Sequence, residues 1–219
     1  MAAMLARRAS GAAAGKGTLM SRQSAAGVDG PPEVIYIIRH GEKPDPGPPH
    51  GVDFHGRKDE HSLLPRGWQR SGALAALFGP ASGPRTGLRT PDTLLAPSYG
   101  DPERTSGHRT CQTIQGLADL LALTIDTPYE VGHEPQLAAS VLSACSGVVL
   151  ICWEHDHIPS LAAAFPAVPG TDIPGKWPGH RFDVIWALTR QPGSTPPRYA
   201  FSQVPQQLLP GDAGTVIRG

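Results

Sequence analysis

The stretch Glu33-Val34-Ile35-Tyr36-Ile37-Ile38-Arg39-His40-Gly41-Glu42 decides the reading of this chain. After Glu33, five β-branched or aromatic residues follow one another with no polar alternation. A run of that kind suits a strand buried on both faces, the usual condition in a parallel sheet. Pro31-Pro32 sets it off from what precedes, and Pro44 to Gly56, rich in Pro and Gly, reads as loop. The strand therefore ends directly on Arg39, His40 and Glu42, and polar chemistry begins where the sheet stops.

Outward from this strand, apolar runs and helical spacings alternate. Leu63 to Leu77 has helical spacing, with Leu64, Trp68, Leu74 and Leu77 as candidate core positions. Thr93-Leu94-Leu95-Ala96 is a short strand, and Thr110 to Leu121 a second helix with Ile114, Leu117, Ala118 and Leu121 on one face. Thr124-Ile125-Asp126 is a further short strand, and Glu134 to Ala144 a third helix. Gly147 to Trp153 is the clearest strand after the first, followed by Glu154-His155-Asp156-His157 and a helix from Ile158 to Phe165, with Pro159 tolerated in its first turn. Phe182 to Leu188 and Tyr199 to Val204 form a late strand pair. Alternation of this kind predicts a three-layer α/β/α sandwich with a mostly parallel central sheet. The Ile35–Ile38 and Val148–Cys152 strands should be central neighbours. In such sheets ligands bind beyond the carboxyl ends of the strands.

Composition bounds the function. Lys+Arg and Asp+Glu are both 19, so no global field draws the chain to nucleic acid or membrane. No run approaches the roughly 20 apolar residues of a spanning helix. Cys111, Cys145 and Cys152 are odd in number and form no Cys-x-x-Cys pair, which speaks for small apolar residues in a reduced, cytoplasmic protein rather than a disulfide framework or zinc site. Residues 1–31 are expected to be a disordered extension, and 32–219 a single domain. The extension is Arg-containing and poor in acids, as an organellar transit peptide is; an extension or an upstream start codon is the preferred account.

Two of the strongest strands end in His, at His40 and His155, and Arg109 opens the second helix. Arg39, Arg109, His40 and His155 should thus meet at one sheet edge. Four permanent or potential cations there require an anion to offset their repulsion. A phosphoryl group fits, because Arg offers planar donor pairs to its oxygens and helix N-termini add N–H groups.

The Ile-Ile-Arg39-His40-Gly41-Glu42 element, Arg109 within Arg-Thr-Cys-Gln-Thr, and His155 after an apolar strand together resemble the signature of the histidine phosphatase superfamily, which includes the phosphoglycerate mutases and acid phosphatases. The resemblance spans about Val34 to Leu161. It implies a phosphohistidine at His40, with Arg39, Arg109 and His155 binding the phosphoryl oxygens. No metal or other cofactor is required by that chemistry. The partner it implies is a small phosphorylated substrate; the oligomeric state is open. The proton donor has three candidates. Glu134 is the preferred one, and Glu130 shares its interval between the second Arg and the second His, as in the mutase branch. Asp156 follows the second His, as in the acid-phosphatase branch.

Hydrolysis is the leading expectation. A phosphomutase would want cations beyond Lys43, Arg57, Lys58 and Arg104, and a phosphate-binding module without turnover is the reading from another class. Trp68, Trp153 and Trp186 are expected in the core. Trp177-Pro178-Gly179-His180 is a candidate wall of the entrance. Arg104 and His108 could touch substrate, and His50, His55 and His61 lie in a segment expected to be a flexible cover.

Overall fold

The computed structural model describes residues 30–80, 87–100 and 108–219. Among them the order is β1 (Val34–Arg39), α1 (Pro65–Phe78), β2 (Thr93–Leu95), α2 (His108–Leu121), β3 (Ile125–Asp126), α3 (Glu134–Ala144), β4 (Val148–Trp153), α4 (Ile158–Ala164), β5 (Val184–Arg190) and β6 (Tyr199–Pro205). The strands form one sheet in the order β3-β2-β4-β1-β5-β6. β1 to β4 pair parallel; β5 runs antiparallel to β1, and β6 antiparallel to β5. The expected residues 1–31 extension lies almost wholly outside the described residues. The carbonyls of Pro31 and Pro32 accept hydrogen bonds from Arg190 and Tyr199.

All six residues of β1 and of β4 are buried, as their continuous apolar sequences require. Alternate residues serve opposite layers. Val34, Tyr36, Ile38, Val148, Leu150 and Cys152 pack with Leu74, Leu77, Ile114 and Leu117 of α1 and α2. Ile35, Ile37, Val149, Ile151 and Trp153 pack with Leu137, Val141 and Leu161 of α3 and α4. Two cores thus lie on the two faces of one sheet, and the molecule is an α/β sandwich of three layers. No helix among the described residues is long and apolar enough to cross a membrane.

Element ends depart from the sequence reading for local reasons. α1 starts at Pro65, because the Leu63 and Leu64 amides are already engaged, by Gln112 Oε1 at 3.0 Å and the Glu42 carbonyl at 2.9 Å. Proline loses nothing at a first helical position, where its missing N–H would have no partner. Trp68 and Leu64 are correspondingly half-buried rather than core. The Trp68 indole donates to the Val52 carbonyl at 2.8 Å and meets the exposed ring of Phe54 edge-on. The late strand starts at Val184, since Phe182 and Asp183 turn to other partners. Cys145 and Cys152 are buried and Cys111 half-buried. All three are free thiols whose pKa burial pushes up, which makes them poor nucleophiles.

The C-terminal segment, to which the sequence assigned nothing, closes a buried ionic knot beneath the strand edge. The Arg70 guanidinium is 1% exposed and donates to both oxygens of Glu42 (2.7 and 3.1 Å), both of Asp212 (2.7 and 3.1 Å) and Gln206 Oε1 (2.9 Å). Arg66 adds a second cation to Glu42 at 3.1 Å. Burial pushes the Asp212 carboxyl up, but hydrogen bonds from Arg70, Leu208 and Leu209 outweigh it and hold the group down at about 2. Two cations against two carboxylates leave the knot neutral, the condition under which buried charge is tolerated. It ties the residue two places after His40 to α1 and to the chain end.

Candidate active site

The parallel register of β1 and β4 sets Arg39 opposite Trp153, so the residues after each strand emerge side by side. The rings of His40 and His155 lie 6.4 Å apart, edge to face. One phosphoryl group can reach both. Arg39 directly precedes His40, and Thr113 Oγ1 bridges the Gly41 amide and the Arg109 carbonyl, which ties the start of α2 to the same turn. The structure therefore brings together Arg39, His40, Arg109 and His155.

The turn after His40 is fixed by close packing. Gly41 donates its N–H to Thr113 Oγ1 at 2.7 Å, and that hydroxyl donates to the Arg109 carbonyl at 2.7 Å. A Cβ on Gly67, in the first turn of α1, would stand 2.6 Å from the Glu42 carbonyl oxygen, so only glycine lets the helix approach. His40 Nδ1 donates to the Gly41 carbonyl at 2.7 Å, which fixes the tautomer and leaves Nε2 with its lone pair. Burial, then Arg39, Arg109 and His155, push the His40 pKa down to about 3 against the pull of the Gly41 carbonyl. The ring is therefore neutral at physiological pH.

Each arginine is propped by backbone carbonyls. Arg39 Nη1 donates to the carbonyls of Gly179 and Arg181. Its Nε and Nη2 are buried with no hydrogen-bond partner among the described residues. Burial pushes its pKa down to about 10, partly offset by Asp156 and Glu42, so the guanidinium stays charged. Arg109 Nη2 donates to the Glu60 carbonyl at 2.7 Å, and Nε lies 3.5 Å from that of Ser62. The loop that supplies these carbonyls is pinned, not simply draped. Val52 N–H donates to Leu63, Asp59 N–H to Gly51, and Asp53 caps the turn through the amides of His55 and Arg57. His50 sits 2.9 Å from Glu60, and His55 and His61 are exposed.

Glu134 is engaged by residues that flank this cluster in sequence. Its Oε1 accepts from the Gly132 amide at 2.9 Å and the Trp153 indole at 3.0 Å, and lies 3.2 Å from His157 Nδ1. Burial pushes its carboxyl up, but these hydrogen bonds win and hold it below the usual range. That direction is opposite to the one a proton donor needs. Asp156 is exposed, 3.4 Å from His155 Nε2, and its charge is felt at both Arg39 and His155. Glu130 is exposed near Gly100. His155 itself is pushed down by burial and Arg39, with Asp156 opposing.

The Trp177–His180 segment enters the site by its backbone. Trp177 is buried against Trp186, with ring centroids 5.0 Å apart, and donates to the Arg181 carbonyl at 2.8 Å, while His180 is exposed. His108 stacks on Tyr99, and Arg104 lies outside the described residues. Thr113, Gln112, Arg70 and Phe182 support the site without a motif that marks them in the sequence. Thr113 and Gln112 lay within the Arg109 element and carried that faint signal; Phe182 carried none. Among the described residues no three His, Cys, Asp or Glu side chains gather as a metal site would require.

No family model matches the chain, and no curated protein matches it in sequence. Among solved structures, “Mycobacterial hydrolase 2” is 12% identical with a TM-score of 0.42, the match covering 78% of this chain and 89% of that one. “The putative phosphohistidine phosphatase SixA from Agrobacterium tumefaciens” is 15% identical with a TM-score of 0.43, covering 78% of this chain and 98% of that one. At these values the likeness assigns no activity, and the chemistry rests on the site itself.

Proposed function

We propose that this protein is a phosphomonoesterase that works through a phosphohistidine on His40. The observation that carries the reading is the pair of buried, unpartnered nitrogens on Arg39, Nε and Nη2, beside a histidine held neutral and in one tautomer. Unpartnered donors on a buried cation are costly unless an anion completes them. A phosphoryl group has the charge and the oxygens to do so. His40 Nε2 attacks phosphorus, the P–N bond forms as the P–O bond to the leaving group breaks, and the leaving oxygen takes a proton. Water then attacks the phosphohistidine, returning a proton to the group that protonated the leaving oxygen; the P–N bond breaks and inorganic phosphate leaves. Arg39, Arg109 and His155 stabilise the equatorial oxygens in both steps.

The test is to give the protein a ³²P-labelled phosphomonoester, quench, and look for acid-labile label on His40 with a chelator present throughout. Label and turnover should both persist in EDTA, because protein cations supply the charge. Loss of both, restored by a divalent ion, would move the chemistry to a metal.

For the proton we favour Asp156 over Glu134. Asp156 is exposed with Oδ1 3.4 Å from His155 Nε2, whereas Glu134 is buried and committed to Gly132, Trp153 and His157. Asp156→Asn should then slow an alkyl phosphate, whose leaving group needs the proton, by about 10²-fold. It should slow p-nitrophenyl phosphate by much less. Equal losses on the two substrates would remove Asp156 from the role.

A further inference from the structure

We infer that Phe182 is a positioning residue, the plate that holds the Arg39 guanidinium in the plane from which its free N–H groups meet a phosphoryl group; the inference rests on the phosphoryl-site reading above. The guanidinium carbon lies 3.9 Å from the Phe182 ring centroid, and the same ring stands 6.0 Å from that of His40. One aromatic side chain thus stacks on the Arg39 guanidinium and neighbours the His40 ring.

Phe182 is not there to fill a core. It is half-buried and belongs to neither of the two hydrophobic clusters, although it immediately precedes the buried start of β5. The two carbonyls on Arg39 Nη1 fix one nitrogen but leave the plane of the group free to tilt about it. A flat ring at van der Waals distance removes that freedom. It also holds the cation without neutralising it. A carboxylate in the same place would occupy the N–H groups and compete with substrate, whereas the ring face attracts the cation through its quadrupole and leaves the donors open.

The plate is itself well anchored. Arg181, the residue before it, binds Asp183 at 2.7 Å and the Thr215 carbonyl at 2.7 Å, and its own carbonyl receives the buried Trp177 indole. Asp183 accepts the Ala213 amide. The segment that carries Phe182 is therefore fastened to the chain end and to the α3/α4-side core. Arg39, fixed between that segment and β1, is preorganised before any ligand arrives.

The experiment compares full-length wild type, Phe182→Leu, Phe182→Tyr and a protein carrying 3,4,5-trifluorophenylalanine at 182, which keeps the ring's shape and weakens its quadrupole. Orthophosphate binding is measured by calorimetry, alongside kcat and KM for p-nitrophenyl phosphate. Phe182→Leu should bind phosphate about tenfold more weakly. The trifluoro protein should fall between it and wild type, and Phe182→Tyr should stay within about twofold of wild type. Near-wild-type phosphate binding by a folded Phe182→Leu would overturn the inference. So would a trifluoro protein equal to wild type while Phe182→Leu is weak, since that pattern belongs to packing alone. A wild type that neither binds orthophosphate nor turns over would instead overturn the phosphoryl-site reading, and this inference with it.

Discussion

His40→Ala should reduce phosphomonoester turnover by on the order of 10⁴-fold or more while orthophosphate affinity changes by less than about tenfold. The asymmetry follows from the geometry. The variant loses the only atom assigned to the covalent step, yet Arg39 keeps its unpartnered Nε and Nη2 and its carbonyl props. A phosphate-binding module would show the same affinity with no turnover to lose, so the wild-type rate separates the two readings. The pH behaviour is a second check. With the folded pKa pushed down to about 3, the nucleophile keeps its lone pair far below the ordinary histidine value of about 6.5, and that group contributes no acid limb near 6.5. Linkage gives the sign for stability. Between about 6.5 and 3 the unfolded chain takes up a proton that the folded His40 refuses, so the fold should lose stability as pH falls through that window. His40→Ala should lack this contribution to the slope. Near-normal turnover in His40→Ala would end the phosphohistidine mechanism.

Arg39→Met should lower kcat/KM by about 10²- to 10³-fold and at the same time raise the thermal midpoint of the ligand-free protein. The first effect is the loss of preorganised donors aimed at charge developing in the transition state. The second follows from what Arg39 costs. It is 1% exposed, has no hydrogen bond to a carboxylate among the described residues, and leaves two buried nitrogens, Nε and Nη2, without partners, each a desolvation penalty of about 1–3 kcal/mol. A methionine stem fills similar space without that penalty. Orthophosphate should raise the melting temperature of wild type by completing the Arg39 donors, and should raise that of the variant far less. Arg39→Lys should not rescue, since a point charge cannot offer the planar fork. A variant that is both less active and less stable would show that Arg39 serves the fold more than the ligand. Arg70 makes the contrast plain: equally buried, it has all of its charge answered by Glu42 and Asp212.

The layers, the order of the elements and the placing of His40 and His155 at one sheet edge are legible in the chain before it folds. Each follows from a local rule. Unbroken apolar runs bury on both faces, helical spacing covers them, and parallel strands end at one edge, so residues placed directly after strands or at helix starts converge without further information. The alignment of β1 with β4, residue for residue, is what turned two separate histidines into a pair 6.4 Å apart.

What props that cluster, and which of its charges lack a partner, depends on contacts between distant parts of the chain. Glu134 has the position of a proton donor in the chain, and in the fold its carboxylate meets the Gly132 amide and the side chains of Trp153 and His157, 19 and 23 residues onward, which hold it below the usual carboxylate range. The support of Arg39 comes from Gly179, Arg181 and Phe182, about 140 residues away in sequence. Glu42 is answered by Arg70 and, through it, by Asp212 near the chain end. None of these partners has a periodicity or spacing that marks it, because a hydrogen bond or a stacked ring depends on where two distant backbones pass. Local pattern fixes which face a side chain takes; only the folded chain fixes what stands opposite it.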